Sequence, residues 1–275
     1  GAEILWAWFE TDPQVVRRCL PQGLEPAAEP RATAFVANYP QTNFGIAYKE
    51  GGLLLACRRK GETGLYCLSM PVTDDAAMVG GRERQGFPKK VAEAITLERT
   101  SEGAIGSVFR KGTEILRIEA ELTGSASSSQ FDRIAPLNPA AAGAESREAV
   151  NFNYKFFPSA DNRSFDYLPR LVRVPVSYRA RPGAECGRGT VRLRSSTVDP
   201  LAEIPVGEIV DILYGRFDIE ILPGKTVGRA WNLLRFLPHA FFKSDIVARL
   251  LDQRRGSTRQ TGASEPTELS PDEAR

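Results

Sequence analysis

The sequence predicts an α+β fold, mainly antiparallel β, in which a sheet closes or nearly closes into a barrel with a few helices at its edge. Roughly eleven short stretches rich in Val, Ile, Phe and Tyr recur along the chain, mostly at hairpin spacing, and many short strands with few helices suit a barrel. Period-two alternation is plainest from Glu114 to Leu122. There Leu116, Ile118, Ala120 and Leu122 point one way and Arg117, Glu119 and Glu121 the other. Helical spacing is confined to short runs near the N-terminus, ahead of a lysine pair, and from Thr226 to Leu251.

In chain order, Glu3 to Phe9 alternates poorly but is rich in Trp, Ile and Phe, as expected of a strand buried on both sides. Asp12 then caps a short helix. Pro13 suits its first turn, Val15, Val16 and Cys19 form its apolar face, and Pro21 closes it. Strands are expected from Ala34 to Tyr39, Leu53 to Arg58 and Leu65 to Met70, the last two joined by the turn-rich RKGETG. A helical run from Thr73 to Arg84, its N-terminus carrying Asp74 and Asp75, should stop near Gly86 because Pro88 has no N–H to donate.

Three further strands are expected from Ala94 to Glu98, Ile105 to Arg110 and Glu114 to Leu122. Ser, Ala, Gly and Pro dominate from Gly124 to Arg147, which reads as an irregular crossing loop. A second strand set then runs through Asn151 to Phe157, Leu171 to Val176, Thr190 to Leu193, Glu208 to Leu213 and Phe217 to Leu222. From Thr226 the spacing turns helical, with Trp231, Leu234 and Leu237 on one face, a break at Pro238, and Ile246, Leu250 and Leu251 beyond. Such a stripe is read as core or subunit contact, as is His239, and a homo-oligomer is expected. The polar tail from Arg254 to Arg275 lacks aromatics and is expected to be disordered.

A chain of 275 residues can bury a sizeable core. Its formal charge of +2, with both signs interspersed, argues against a nucleic-acid partner. No apolar run is long enough to span a membrane and no charged leader precedes an apolar core, so a cytoplasmic protein is expected. Cys19, Cys57, Cys67 and Cys186 show no CxxC spacing and His239 stands alone, so neither metal nor cofactor is expected. Cys57 and Cys67 could bridge across a hairpin in an oxidising compartment; the preferred reading is two buried thiols.

The chemistry is placed in Met70 to Lys90, MPVTDDAAMVGGRERQGFPKK. An amine is a nucleophile only when deprotonated, and a free lysine titrates near 10.4. A neighbouring cation and burial both favour the neutral form, and Lys89 beside Lys90, with Phe87 just before them, could supply both.

The block GGRE, RQ and GFPKK resembles the signature of the acetoacetate decarboxylase family, in which the first lysine of the pair forms a Schiff base; that enzyme is a standing example of an activated lysine. GIAYKEGG places Glu50 where the family carries an active-site glutamate, and NFNYKFFP and DPLAEIPVGEIV also look like family segments. The resemblance covers Glu3 to Pro223 and implies a cone-shaped β-barrel in a single domain over 1–253, with 226–253 as a helical extension. It implies catalytic roles for Lys89, Glu50 and Lys90, and Gln85, Arg82, Phe87 and Tyr214 are expected to meet the substrate. The family arginine near the N-terminus is matched by Ala2, and the early strand that should carry a second acid reads TAFVANY. The expected partner is a small oxo acid. Decarboxylation of a β-keto acid ranks first, ahead of aldolase or dehydratase chemistry on a pyruvate-like 2-oxo acid, with a non-catalytic acid-binding relative as the third reading.

Overall fold

The computed structural model describes residues 1–127, 130, 146–161, 163–241, 243 and 245. Most of the expected crossing loop, Ile246, Leu250, Leu251 and the expected tail therefore lie outside the described residues. The strands are β1 (Ala2–Glu10), β2 (Glu25–Pro26), β3 (Arg31–Tyr39), β4 (Tyr48–Arg59), β5 (Glu62–Val72), β6 (Lys89–Val91) and β7 (Ala94–Arg99). They continue with β8 (Gly103–Arg110), β9 (Thr113–Ser125), β10 (Arg147–Lys155), β11 (Arg170–Ala180), β12 (Glu185–Leu193), β13 (Ile209–Ile221) and β14 (Lys225–Arg229).

The sheet order β11-β10-β5-β4-β3-β1-β13 is closed by direct pairing of β13 with β11, giving a barrel of 7 strands whose members have no free edge. Pairing is antiparallel except where β5 meets β10 and β6. From β13 the sheet runs on through β12, β9, β8 and β7, and this extension folds back against the outside of β3 and β4. Strands β1 and β3 are thereby covered on both faces. Leu5, Ala7, Phe9, Ala34 and Val36 pack outward with Leu53, Val108 and Ile118, while Ile4, Trp8, Phe35 and Ala37 face inward with Leu54 and Phe217. Burial on both faces removes the pressure to alternate, which is why β1 reads as an apolar run.

Helix α1 (Pro13–Cys19) starts as expected, with Asp12 accepting the N–H of Gln14 at 2.7 Å, and the helix buries Val16. Several elements differ from expectation. Strand β4 begins at Tyr48, so Glu50 lies inside a strand and not in a turn. The two strands expected across Glu208 to Leu222 are one, β13, because Tyr214 and Gly215 continue the ladder opposite Leu5 and Ile4. Cys57 lies opposite Gly64 and Cys67 opposite Leu54, so the thiols belong to different cores and all four cysteines are free.

The last helix, α3 (Leu233–Phe241), passes through Pro238 without the expected break. It buries Phe236 and Ala240 and leaves Trp231 at 70% and Leu234 at 81% exposure, so of the two expected roles for the stripe, core or subunit contact, the first does not hold. Phe236 holds the helix in place against the rings of Tyr154, Phe156 and Phe165.

Just beyond α3, the buried Lys243 amine donates to the Tyr154 carbonyl and sits 4.6 Å over the Phe156 ring, and desolvation lowers its pKa to about 7. An unfolded lysine keeps its proton to about 10.4. Between those values the unfolded chain holds a proton the folded chain lacks, so this group's penalty is full below pH 7 and fades as pH rises. The stability of Lys243→Met minus that of the parent should therefore shrink between pH 7 and pH 9, as read from denaturant midpoints.

Candidate active site

Strand β5 ends at Val72, and the chain leaves it through α2 (Asp75–Gly80), which Asp74 caps by accepting the Ala77 N–H at 2.9 Å. The helix does not continue as α to Arg84: Gly81–Gln85 form a π turn, whose wider winding changes which side chains share a face. Gly86 ends it at φ 79°. A Cβ there would lie 2.8 Å from the Tyr154 carbonyl, so both the dihedral and the close approach require glycine. Pro88 then keeps the chain extended, and it returns beside β5 as β6, with Lys89 opposite Met70 and Lys90 opposite Pro71.

Alternation along β6 sends the two lysines to opposite sides. Lys89 enters the barrel. Its Nζ donates to Glu50 Oε2 at 2.6 Å, and the two side chains are 7% and 6% exposed. Glu50 is held between Ala37 on β3 and Val72 on β5. The Lys89 amine lies 5.2 Å from the ring of Tyr48, which stacks on Tyr39 at 4.7 Å. Burial, with Glu50 nearby, pushes the phenols of Tyr39, Tyr48 and Tyr178 well up, so all three remain neutral hydrogen-bond donors.

Lys90 points away from this pair. It donates to Val198 O at 3.1 Å and to Asp199 Oδ1 at 3.0 Å, and lies 3.1 Å from Asp245 Oδ1. Arg110 completes the group, reaching Asp199 Oδ2 through Nε and Asp245 through Nη2, each at 2.7 Å. The expected catalytic role of Lys90 as a bare neighbouring cation for Lys89 is corrected: its charge faces two carboxylates on the far side of the strand.

The barrel encloses a cavity of about 1100 Å³, lined by Glu50 and Lys89 and otherwise mainly by apolar residues such as Ile4, Trp6, Phe35 and Phe217. Of the other expected residues, Gln85 and Phe87 line it. Arg82 does not. The π turn brings Arg84 to the cavity instead, and burial lowers the pKa of Arg82. Tyr214 is also corrected: alternation along β13 turns Leu213 inward and Tyr214 outward, where its hydroxyl bonds Glu3 and Arg99 lies over its ring. Ala2 lines the cavity where the family carries an arginine, and no acid of β3 faces Glu50, only Ala37. Among the described residues no cluster of His, Cys, Asp or Glu is placed to hold a metal, and no helix is long and apolar enough to cross a membrane.

Sequence reasoning missed Gly81, Arg110, Asp199 and Asp245. Asp199 was within a recognised segment, but nothing in the chain marks a carboxylate as the partner of a residue more than a hundred positions away. A Cβ on Gly81 would lie 2.7 Å from both Cδ and Cε of Lys89. Its backbone is ordinary right-handed helix, so the strain of Gly81→Ala falls on the Lys89 side chain, and displacing the amine from Glu50 should lower kcat/KM by about 10²-fold and lower the melting temperature as the buried pair loosens. Paired melting and rate measurements check this.

A sequence model of the family described as acetoacetate decarboxylase matches residues 1–230. The chain is 30% identical over 225 residues to acetoacetate decarboxylase of Chromobacterium violaceum, covering 80% of this chain and 83% of that one. It is 27% identical over 229 residues to acetoacetate decarboxylase 2 of Mesorhizobium japonicum, covering 82% and 80%. Among solved structures, acetoacetate decarboxylase from Legionella pneumophila superposes with a TM-score of 0.71 at 22% identity, covering 83% of this chain and 85% of that one. The enduracididine biosynthesis enzyme MppR, complexed with pyruvate, gives 0.64 at 18% identity, covering 83% and 89%. Fold and comparisons together define a lyase-type enzyme. The chain belongs to the acetoacetate decarboxylase family.

Proposed function

We propose that the protein decarboxylates a β-keto acid through an imine on Lys89. The single observation that carries the reading is the Lys89–Glu50 pair, 2.6 Å apart and closed off from bulk water at the wall of an apolar cavity. A proton passing from Nζ to Glu50 along that bond leaves a neutral amine and a carboxylic acid. The amine attacks the ketone carbon, and Glu50 returns a proton to the departing oxygen as water leaves and the protonated imine forms. The bond from the α-carbon to the carboxylate then breaks, its electron pair moves toward the iminium nitrogen, and CO2 departs. The enamine takes a proton at carbon, and water hydrolyses the imine to release a ketone and free Lys89. Loss of a charged carboxylate is favoured where the surroundings are apolar.

A second reading rests on Ala2, Ala37 and Gln85. Without a cation at Ala2 or an acid at Ala37, the site departs from the family pattern for handling the leaving carboxylate, and Gln85 adds a neutral amide to the cavity lining. A 2-oxo acid imine could lose a methyl proton there and add to an aldehyde. Incubation with acetoacetate, and separately with pyruvate plus an aromatic aldehyde, decides between them. CO2 release with acetoacetate supports the first reading; conjugated product without CO2 overturns it in favour of the second.

A further inference from the structure

Three phenols stand at the cavity wall beside the Lys89–Glu50 pair and take no part in the proton transfers between those two residues. Tyr39 and Tyr48 are directly opposite each other on β3 and β4, one inward-facing pair beyond Ala37 and Glu50, about 7 Å along the strands. The Lys89 amine lies 5.2 Å from the Tyr48 ring. Tyr178 is on the same face of β11 as the inward-facing Val174 and Val176, and Trp6 packs edge-on against its ring at 5.7 Å. All three tyrosines line the cavity, Tyr48 at 9% exposure and the other two partly buried.

None of the three hydroxyls has a hydrogen-bond partner among the described residues. The Tyr167 hydroxyl is unpaired and shut away, whereas the three in the cavity keep accessible oxygen that a ligand group can meet. Burial first, and then the charge of Glu50, raise the pKa of each phenol, and Tyr178 also acts on Tyr39, so the hydroxyls share one neighbourhood and stay protonated. Glu3 pairs with Asn38, which brings Ala2 beside Tyr39, a residue too small to cover the ring. Neutral donors gathered beside a reacting amine call for an acceptor that arrives with the substrate.

We propose that Tyr39, Tyr48 and Tyr178 are the site that recognises the carboxylate of the oxo acid held by Lys89. The inference rests on the reading of Lys89 as the imine-forming amine, and it adds what holds the acid group. The ketone oxygen of such a substrate leaves as water with a proton from Glu50, so the carboxylate is the acceptor that persists and has lone pairs for several donors. In a β-keto acid it is three bonds from the imine nitrogen, a reach that suits a ring 5.2 Å from the amine. A phenol stabilises a carboxylate less than a bidentate guanidinium does, so less binding is lost as the carboxylate becomes neutral CO2.

The test compares borohydride trapping at Lys89 with acetoacetate, pyruvate and acetone, the same methyl ketone with and without a carboxylate. The parent is expected to reach half-maximal trapping with the better acid at a concentration about 10²-fold below that for acetone. Tyr39→Phe, Tyr48→Phe and Tyr178→Phe keep the rings and remove hydroxyls that have no protein partner, and melting curves check that each variant folds. Each should cut the preference for acid over acetone by about tenfold, the worth of one hydrogen bond to a charged group. Ligand-observed NMR with butyrate and its neutral amide, neither of which has a ketone, reads carboxylate recognition without an imine: butyrate should bind in preference, and each variant should weaken it. No preference in the parent, a preference unchanged in all three variants, or equal loss of acid and acetone trapping overturns the inference and leaves the imine reading standing. No adduct in the parent, together with butyrate binding that the Phe variants weaken, overturns the imine reading and keeps the phenols as a carboxylate site; no adduct and no butyrate binding overturns both.

Discussion

Lys89→Ala is expected to abolish turnover, with a loss of about 10⁴-fold or more in kcat, and to eliminate any borohydride adduct while the barrel still folds. Lys90 cannot stand in, because it leaves the other face of β6 and is held by Asp199 and Asp245. The substitution also strands the Glu50 carboxylate, which is 6% exposed and loses its counter-charge at 2.6 Å. Breaking a buried pair from one side costs about 3–5 kcal/mol, so the variant should be less stable than its parent. Lys89→Met combined with Glu50→Gln removes both charges and should recover much of that loss while remaining inactive. Denaturant melts beside rate assays separate the two effects, and residual turnover at the parent's rate in Lys89→Ala would remove the nucleophile assignment.

Glu50→Gln is expected to lower kcat by about 10²- to 10⁴-fold, the range for losing a positioned acid–base group. The amide keeps the size of the carboxylate and can still accept from Lys89, but it cannot take a proton from the ammonium or return one to the departing oxygen. An adduct should therefore still form at Lys89, more slowly and with a shifted pH profile. A variant with parental kcat and weakened substrate binding would reduce Glu50 to an anchor for the amine.

The strand inventory was legible because edge-to-edge pairing leaves its mark locally, in β-branched runs and turns such as RKGETG. Lys89 and Glu50 were legible through motif and not through pattern. By spacing alone Glu50 beside two glycines reads as a turn residue, whereas those glycines make room for neighbours: a Cβ on Gly51 would meet Val108 at 2.3 Å, and one on Gly52 would meet Phe35 at 2.2 Å. Arg82 and Tyr214 were named by residue type and neighbourhood, which do not say which way a side chain points: a π turn carries Arg82 off the cavity, and an unbroken β13 ladder turns Tyr214 outward. At Trp231 and Leu234 only the core alternative fell away, because periodicity shows that a helix has an apolar face and not whether its own chain covers it.

Asp245 lies past residue 230, where the family match stops, yet it reaches both Lys90 and Arg110 behind the strand that bears Lys89. The Lys90 ammonium and the Arg110 guanidinium balance the two carboxylates, in a quartet of which Asp245 is the most exposed member at 24%. Withdrawing Asp245 leaves one surplus positive charge in a low-dielectric spot next to Lys89's own backbone, a field that acts on the ammonium through the strand without any atom in the cavity having moved. If Lys89 is the reacting amine, Asp245→Asn should change the pH dependence of turnover while leaving every residue that lines the cavity in place.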